Sequence, residues 1–196
     1  MKTISITTKQ GDSGYTSTLS GDKVNKHDLR IELNGLIDEL IVSITQIKLD
    51  SNIPAEHKKL MTWIQHCLFI ISAHVSDLLE KYTLPQITSQ ELTCLDKITE
   101  HYEKSTNMPE TFILSATKIE SYHYEYARVI TRKLEREFSK IPEFCPDHHI
   151  TKETFAYINR LSDLFFILAR NVENNQYEVV DYNFITEFAQ NFSTIL

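Results

Sequence analysis

Leu33-Asn34-Gly35-Leu36-Ile37-Asp38-Glu39-Leu40-Ile41-Val42-Ser43-Ile44-Thr45-Gln46-Ile47 decides the fold class of this 196-residue chain. Leu33, Leu36, Ile37, Leu40, Ile41, Ile44 and Ile47 recur at three- and four-residue steps, which makes one apolar stripe along a helix. Asn34-Gly35 signals a hairpin between strand-like runs, but the period on both sides is 3.6. Gly35 therefore reads as a close-packing position inside a helix that begins near Asp28. The same period returns downstream. Pro54 suits the first turn of a second helix, whose stripe Leu60, Ile64, Cys67, Leu68, Ile71, Val75, Leu78 runs on to about Tyr82. Thr88-Ser89-Gln90-Glu91 reads as a capping box opening a third helix with Leu92, Leu95, Ile98 and Tyr102 inward. A fourth helix is predicted from about Lys118 to Ser139 and a fifth from about Thr151 to Val172, with Pro142 and Pro146 between them. Five such helices imply an all-α antiparallel bundle whose sites are built from side chains on facing helices.

Outward from the bundle, residues 1–27 look irregular or briefly extended, with Thr3-Ile4-Ser5-Ile6-Thr7 alternating like a short strand. Residues 28–172 form the bundle, and residues 173–196, rich in Asn, Tyr and Phe, are an extension of unassigned form. At this length one domain is expected. A hydrophobic content of 41% and a charged content of 24% suit a soluble globular protein. The formal charge of -7 argues against general affinity for nucleic acid or anionic membrane. No apolar run approaches the roughly 20 residues that span a bilayer. Met1-Lys2-Thr3-Ile4-Ser5 lacks the apolar core of a secretory signal, and Cys67, Cys94 and Cys145 form no paired motif. A reducing cytoplasm is the expected location.

Chemistry concentrates in three places. The chain has 4 glycines, Gly11, Gly14, Gly21 and Gly35, all near its start. The stretch Thr8-Lys9-Gln10-Gly11-Asp12-Ser13-Gly14-Tyr15-Thr16-Ser17 sets two of them beside a lysine and hydroxyls. Glycine permits the backbone angles that aim successive N–H groups at an anion, and lysine adds a point charge. Taken alone, the stretch is equally a polar turn. On the fourth helix, Ser121, Glu125, Arg128, Arg132 and Glu135 share one face, with Tyr122, Tyr126, Val129, Ile130 and Leu134 on the neighbouring apolar face. That polar face reads either as solvated surface or as guanidinium forks for a polyphosphate. On the fifth helix, Asn159, Ser162 and Asp163 form a polar patch in apolar surroundings, open to interhelical hydrogen bonds or to a ligand-facing amide. Glu120-Ser121-Tyr122-His123 has the spacing of a di-iron ligand pair but lacks a second copy. Cys145-Pro146-Asp147-His148-His149 is a thin metal motif. Phosphate-binding P-loop, dinucleotide and nucleophile-elbow patterns are absent.

In order and spacing these segments resemble the PduO-type ATP:cob(I)alamin adenosyltransferases, over nearly the whole chain to about Val172. That family opens on a TKxGDxGxT loop, matched by residues 8–16, followed by basic residues matched by Lys23 and Lys26. Its GxxDEL segment is matched by Gly35, Asp38, Glu39 and Leu40. Its ARxxxRRxER helix stands here as Ala127-Arg128-Val129-Ile130-Thr131-Arg132-Lys133-Leu134-Glu135-Arg136, and its NRLSD helix as Asn159-Arg160-Leu161-Ser162-Asp163.

The resemblance implies a homotrimer of five-helix bundles with ATP bound between subunits, transfer of the 5′-deoxyadenosyl group to cobalt of cob(I)alamin or a related corrinoid, and release of triphosphate. By it, Thr8, Lys9, Gln10, Gly11, Asp12, Gly14, Thr16, Ser17 and Lys26 cradle the phosphates. Arg132, Lys133, Glu135, Arg136 and Asn159 complete the nucleotide site. Arg128 and Asp38 bridge subunits beside it, with Arg128, Arg132 and Asp38 the catalytic set. Phe112 faces the corrin ring. Mg2+ is expected on phosphate oxygens rather than on protein side chains. A reductase or a B12-dependent enzyme is the kind of protein partner implied. The alternative is a non-catalytic relative that binds ATP or a corrinoid for sensing or delivery. The chain departs from the family pattern where FxLPGG becomes Phe112-Ile113-Leu114-Ser115-Ala116-Thr117, where a histidine becomes Glu125, and where an arginine becomes Lys133.

Overall fold

The structure, a computed structural model, describes residues 7, 9, 11–174 and 176–192; the alternating stretch at residues 3–7 lies almost wholly outside them. Two short strands, β1 (Tyr15–Ser17) and β2 (Lys23–Asn25), pair antiparallel with Thr16 opposite Val24. The helices are α1 (Leu29–Leu49), α2 (Ala55–Val75), α3 (Ser89–Ser105), α4 (Ile119–Phe138), the single-turn α5 (Ile141–Phe144), α6 (Lys152–Glu173) and α7 (Tyr182–Phe192). The packing order is α2–α1–α4–α6–α3, so α4 lies between α1 and α6 and carries polar groups to both seams. Leu33, Ile37, Leu40, Ile44 and Ile47 of α1 are fully buried, as are Ile64, Leu68, Leu134, Leu161, Phe165 and Leu168 from α2, α4 and α6. Each such side chain stabilises the bundle by about 1.5–3 kcal/mol on burial. No helix among the described residues is long and apolar enough to cross a membrane.

Local signals start the helices where they were expected. Asp28 caps α1 by accepting from the Arg30 N–H at 3.0 Å. Thr88 and Glu91 form the capping box of α3. Three expectations need correction. α2 stops at Val75, not near Tyr82, because the Asp77 carboxylate takes the N–H groups of Lys81 (3.0 Å) and Tyr82 (2.8 Å) and turns the chain. Gly35 is exposed, and a Cβ there would meet nothing within 4 Å, so it is not a close-packing position within this chain. Tyr122, Tyr126 and Val129 are exposed; the inward face of α4 is Tyr124, Ala127, Ile130, Thr131 and Leu134. The inward face of α3 is the one expected, with Leu95 fully buried and Leu92, Ile98 and Tyr102 packed partly buried against the core.

His57 of α2 is buried and shares a hydrogen bond of 2.8 Å with the Tyr124 hydroxyl. Burial pushes its imidazole below the ordinary 6.5, with Glu56 pulling weakly the other way. The folded state thus holds His57 neutral where the unfolded chain protonates it. The stability this contributes is present above pH 6.5 and is lost as pH falls through the depressed folded value. Thermal melts from pH 8 to pH 5 should show wild type losing stability on acidification more steeply than His57→Gln. Parallel curves would contradict this.

Candidate functional site

The glycine-bearing segment forms a turn closed by β1 and β2. The Gly14 N–H donates to the Gly11 carbonyl at 3.2 Å, and the Lys26 N–H donates to the Gly14 carbonyl at 3.0 Å. Gly14 adopts φ +83, a left-handed conformation open to glycine at no steric cost. At Gly11 an added Cβ would lie 3.1 Å from Lys26 Nζ, so this ammonium rests close over the turn and a side chain there would displace it by a few tenths of an ångström. Lys9 is exposed with φ 57, and Asp12 and Ser17 are exposed while Thr16 is half-buried. Thr8 and Gln10 lie outside the described residues. The hairpin is tied to the bundle end by Asp22, which meets Lys81 at 2.8 Å and Arg30 at 3.5 Å.

A second cluster spans α4 and α6. Asn159 Nδ2 donates to Glu135 Oε1 at 2.6 Å, so the interhelical bond is real. Ser162 turns away and bonds its own helix at the Asn159 carbonyl, 3.1 Å. Partial burial, then the neighbouring Glu135 and Glu103 carboxylates, push the Asp163 carboxyl above its ordinary range, while Arg132 pulls it down. Arg132, Glu135, Asn159 and Asp163 therefore share one electrostatic neighbourhood. Arg132 and Arg136 are exposed cations one helical turn apart, with Arg136 held by the Arg132 carbonyl at 2.9 Å. Lys133 faces the other seam, 4.0 Å from Glu39 of α1. Among the described residues no hydrogen bond or ion pair joins the glycine turn to this cluster within one chain.

One helical turn towards the start of α4, roughly 6 Å along the axis, Arg128 donates from Nε to Glu125 Oε2 at 2.7 Å and lies over the Phe166 ring. Its terminal nitrogens have no partner among the described residues. Asp38 is exposed, also without a partner there, and borders an open groove of ≈ 300 Å³ with Glu39, Val42 and Tyr126.

The sequence reading missed what holds Glu125. This carboxylate is buried, and its other oxygen meets Arg170 Nη2 at 3.1 Å. Arg170, itself 1% exposed, pairs through Nε with Glu173 at 3.0 Å and donates to the Ser115 carbonyl at 3.2 Å. The available signal was a charged pair, Arg170 and Glu173, spaced i,i+3 at the end of an apolar helix. Phe112, 78% exposed, stands at the start of the strip that this network holds. The C-terminal extension joins it there. The Leu114 N–H donates to the Glu178 carbonyl (2.8 Å) and the Val180 N–H to the Phe112 carbonyl (2.9 Å). The thin metal motifs disperse: His123 pairs with Asp50 at 3.6 Å and His149 with Glu80 at 3.3 Å.

The chain is similar to known proteins over most of its length. At 28% identity the chain matches 96% of its own length to the corrinoid adenosyltransferase PduO of Salmonella typhimurium, and spans 55% of that relative. It is 30% identical over 84% of its length to a cobalamin adenosyltransferase of Cupriavidus metallidurans, covering 86% of it. It is 31% identical to a corrinoid adenosyltransferase of Bacillus subtilis, with 84% of each chain covered. A phenylalanine-to-alanine variant of the PduO-type ATP:corrinoid adenosyltransferase from Lactobacillus reuteri, solved with cobalamin and ATP, superposes with a TM-score of 0.81. It is 25% identical, and 91% of this chain and all of that one are covered. An arginine-to-lysine variant of that enzyme, solved with ATP, gives 0.78 at 25% identity, covering 90% of this chain and 99% of that one. The family model for cobalamin adenosyltransferases runs from residue 6 to residue 172, through the glycine turn and both helix clusters, and to that family the chain belongs.

Proposed function

We propose that this chain transfers the 5′-deoxyadenosyl group of ATP to the cobalt of cob(I)alamin or a related corrinoid, releasing triphosphate. The observation that carries the reading is the placement of the glycine turn, the α4 cations and the α6 amide within one family match over residues 6–172. Cobalt(I) supplies the electron pair that forms the Co–C5′ bond, and the C5′–O pair leaves with triphosphate. The protein therefore needs no side-chain nucleophile or general base. It must hold C5′ in line, meet the charge growing on the leaving oxygens, and keep water out.

The residues suit that division of labour. Lys9, Lys26 and Arg132 are exposed cations free to turn onto phosphates, Arg136 is an exposed cation whose guanidinium keeps further donors beyond its bond to the Arg132 carbonyl, and Gly11, Asp12 and Gly14 shape the turn with Thr16 and Ser17 beside it. Glu135 and Asn159, already bonded to each other, offer polar atoms at the α4–α6 seam. Lys133 retains charge where an arginine is usual but loses the bidentate fork. Magnesium would ride on the triphosphate and neutralise it. Among the described residues no three His, Cys, Asp or Glu side chains gather as a cation cage, and the donors present are cations fit for phosphate. Arg128 and Asp38, each with capacity left over inside one chain, suit a bridge to a second copy in a homotrimer. Such an assembly would also bring the turn of one chain to the helix cluster of another. Phe112 suits an apolar wall against the corrin face.

The test is anaerobic: cob(I)alamin with Mg-ATP, following the absorbance change of cobalt–carbon bond formation and assaying triphosphate. Stoichiometric adenosylcobalamin and triphosphate are expected. Intact ATP binding without turnover would instead identify a non-catalytic binding relative.

A further inference from the structure

We propose that Thr117 and Glu173 form a clasp that positions Phe112 for the corrinoid, in place of the rigid turn this chain lacks; the proposal rests on the adenosyltransferase reading above. Where the resembled family has proline and two glycines, this chain has Ser115-Ala116-Thr117, residues that impose far less on the backbone. The constraint comes from elsewhere. Glu173, fully buried at the end of α6, accepts the Thr117 N–H on Oε1 at 3.0 Å while Oε2 pairs with Arg170. Arg170 in turn holds the Ser115 carbonyl at 3.2 Å. The Thr117 hydroxyl donates to the Gln176 carbonyl at 2.7 Å, and the Lys118 ammonium reaches the Glu173 carbonyl at 3.3 Å. Just after this point the chain runs back to pair residues 178–180 with residues 112–114.

Two sets of bonds thus frame the Phe112 strip: side chains of the α6 end at residues 115–117, and a backbone bridge at Ile113 and Val179. The Gln176 carbonyl belongs to the segment leading into that bridge, so the Thr117 hydroxyl couples the two. Glu173 and residues 176–180 fall beyond the family match, which ends at residue 172. They hold the strip from outside the segment that the family model matches. Phe112 itself projects into solvent and receives nothing from the core, so its placement depends on this frame.

Thr117 is exposed, and Thr117→Val deletes the hydroxyl bond while sparing the Arg170–Glu173 pair. Thr117→Ser keeps it. Both are made in the full chain. Hydrogen exchange over residues 112–118 should quicken in Thr117→Val and remain near wild type in Thr117→Ser. Titration with cob(II)alamin in the presence of Mg-ATP should show affinity falling about tenfold in Thr117→Val, as losing a hydrogen bond that orders a binding element allows. It should be restored in Thr117→Ser, with ATP affinity unchanged in both. Unchanged exchange, unchanged corrinoid affinity, or failure of serine to restore it each overturns the clasp. A wild-type protein that binds ATP but no cobalamin sinks the adenosyltransferase reading instead.

Discussion

Arg132→Ala loses ATP-dependent thermal stabilisation and lowers kcat/KM for ATP by about a hundredfold or more, while the unliganded melting temperature stays within about 2 °C of wild type. The two halves follow from different features of the same side chain. Arg132 is exposed on α4 and no described hydrogen bond uses its guanidinium, so truncation removes little from the fold. Towards a triphosphate the same freedom is an asset, because a planar fork can take two oxygens at once and meet the charge that grows as C5′–O breaks. An interaction stronger with the leaving group than with bound ATP moves kcat as well as KM. Arg132→Lys, keeping charge without the fork, should fall between the two. Differential scanning fluorimetry with and without Mg-ATP, beside steady-state adenosylation, measures both halves. Unchanged ATP affinity in Arg132→Ala would remove this residue from the site and move the leaving-group role to Arg136 or Lys133.

How far these features could be read in advance depended on whether their causes were local. The α1 stripe and the Thr88–Glu91 box are set by residues within a few positions of one another, and both formed as expected. The end of α2 is also local, but its cause is polar. Leu78 continues the apolar rhythm past the point where Asp77 takes two backbone N–H groups, and periodicity does not register a carboxylate–backbone turn. Glu125 illustrates the other limit. Its spacing with Arg128 and Arg132 left open a solvated face or a polyphosphate-binding one, but α4 is overlaid there by α6, whose Arg170 lies 45 positions away. The backbone pairing of residues 112–114 with 178–180 leaves no mark in side-chain pattern at all. Conversely, the Phe184, Ile185, Phe188 and Phe192 face of α7 is apolar at helical spacing but exposed, so a pattern that means core elsewhere does not mean it here.

The largest stability effect is expected at Arg170, and the reason is the company it keeps. Its side chain, fully buried, lies between Glu125 at 5% exposure and Glu173 at 0%, with the Phe166 ring 5.1 Å away. With Arg128 on the far side of Glu125, two cations meet two carboxylates and the cluster is neutral. Arg170→Met fills similar space with an apolar chain but strands Glu173 without a cation and leaves Glu125 only its Arg128 contact. Breaking a buried ion pair on one side costs about 3–5 kcal/mol, since the remaining charge has lost both water and partner. For a chain of this size that lowers the melting temperature by about 10 °C or more. The cost belongs to the stranded carboxylates rather than to the missing arginine, so it should be reversible without restoring the cation. Arg170→Met combined with Glu125→Gln and Glu173→Gln should regain most of the loss, because replacing a whole buried charge set is often close to neutral where removing one member is not. Chemical denaturation of the single and triple variants separates the two accounts. If the triple variant were no more stable than Arg170→Met, the guanidinium's bond to the Ser115 carbonyl and its packing on Phe166 would be what the fold needs. A single variant within about 1 kcal/mol of wild type would mean that water reaches this cluster and screens it.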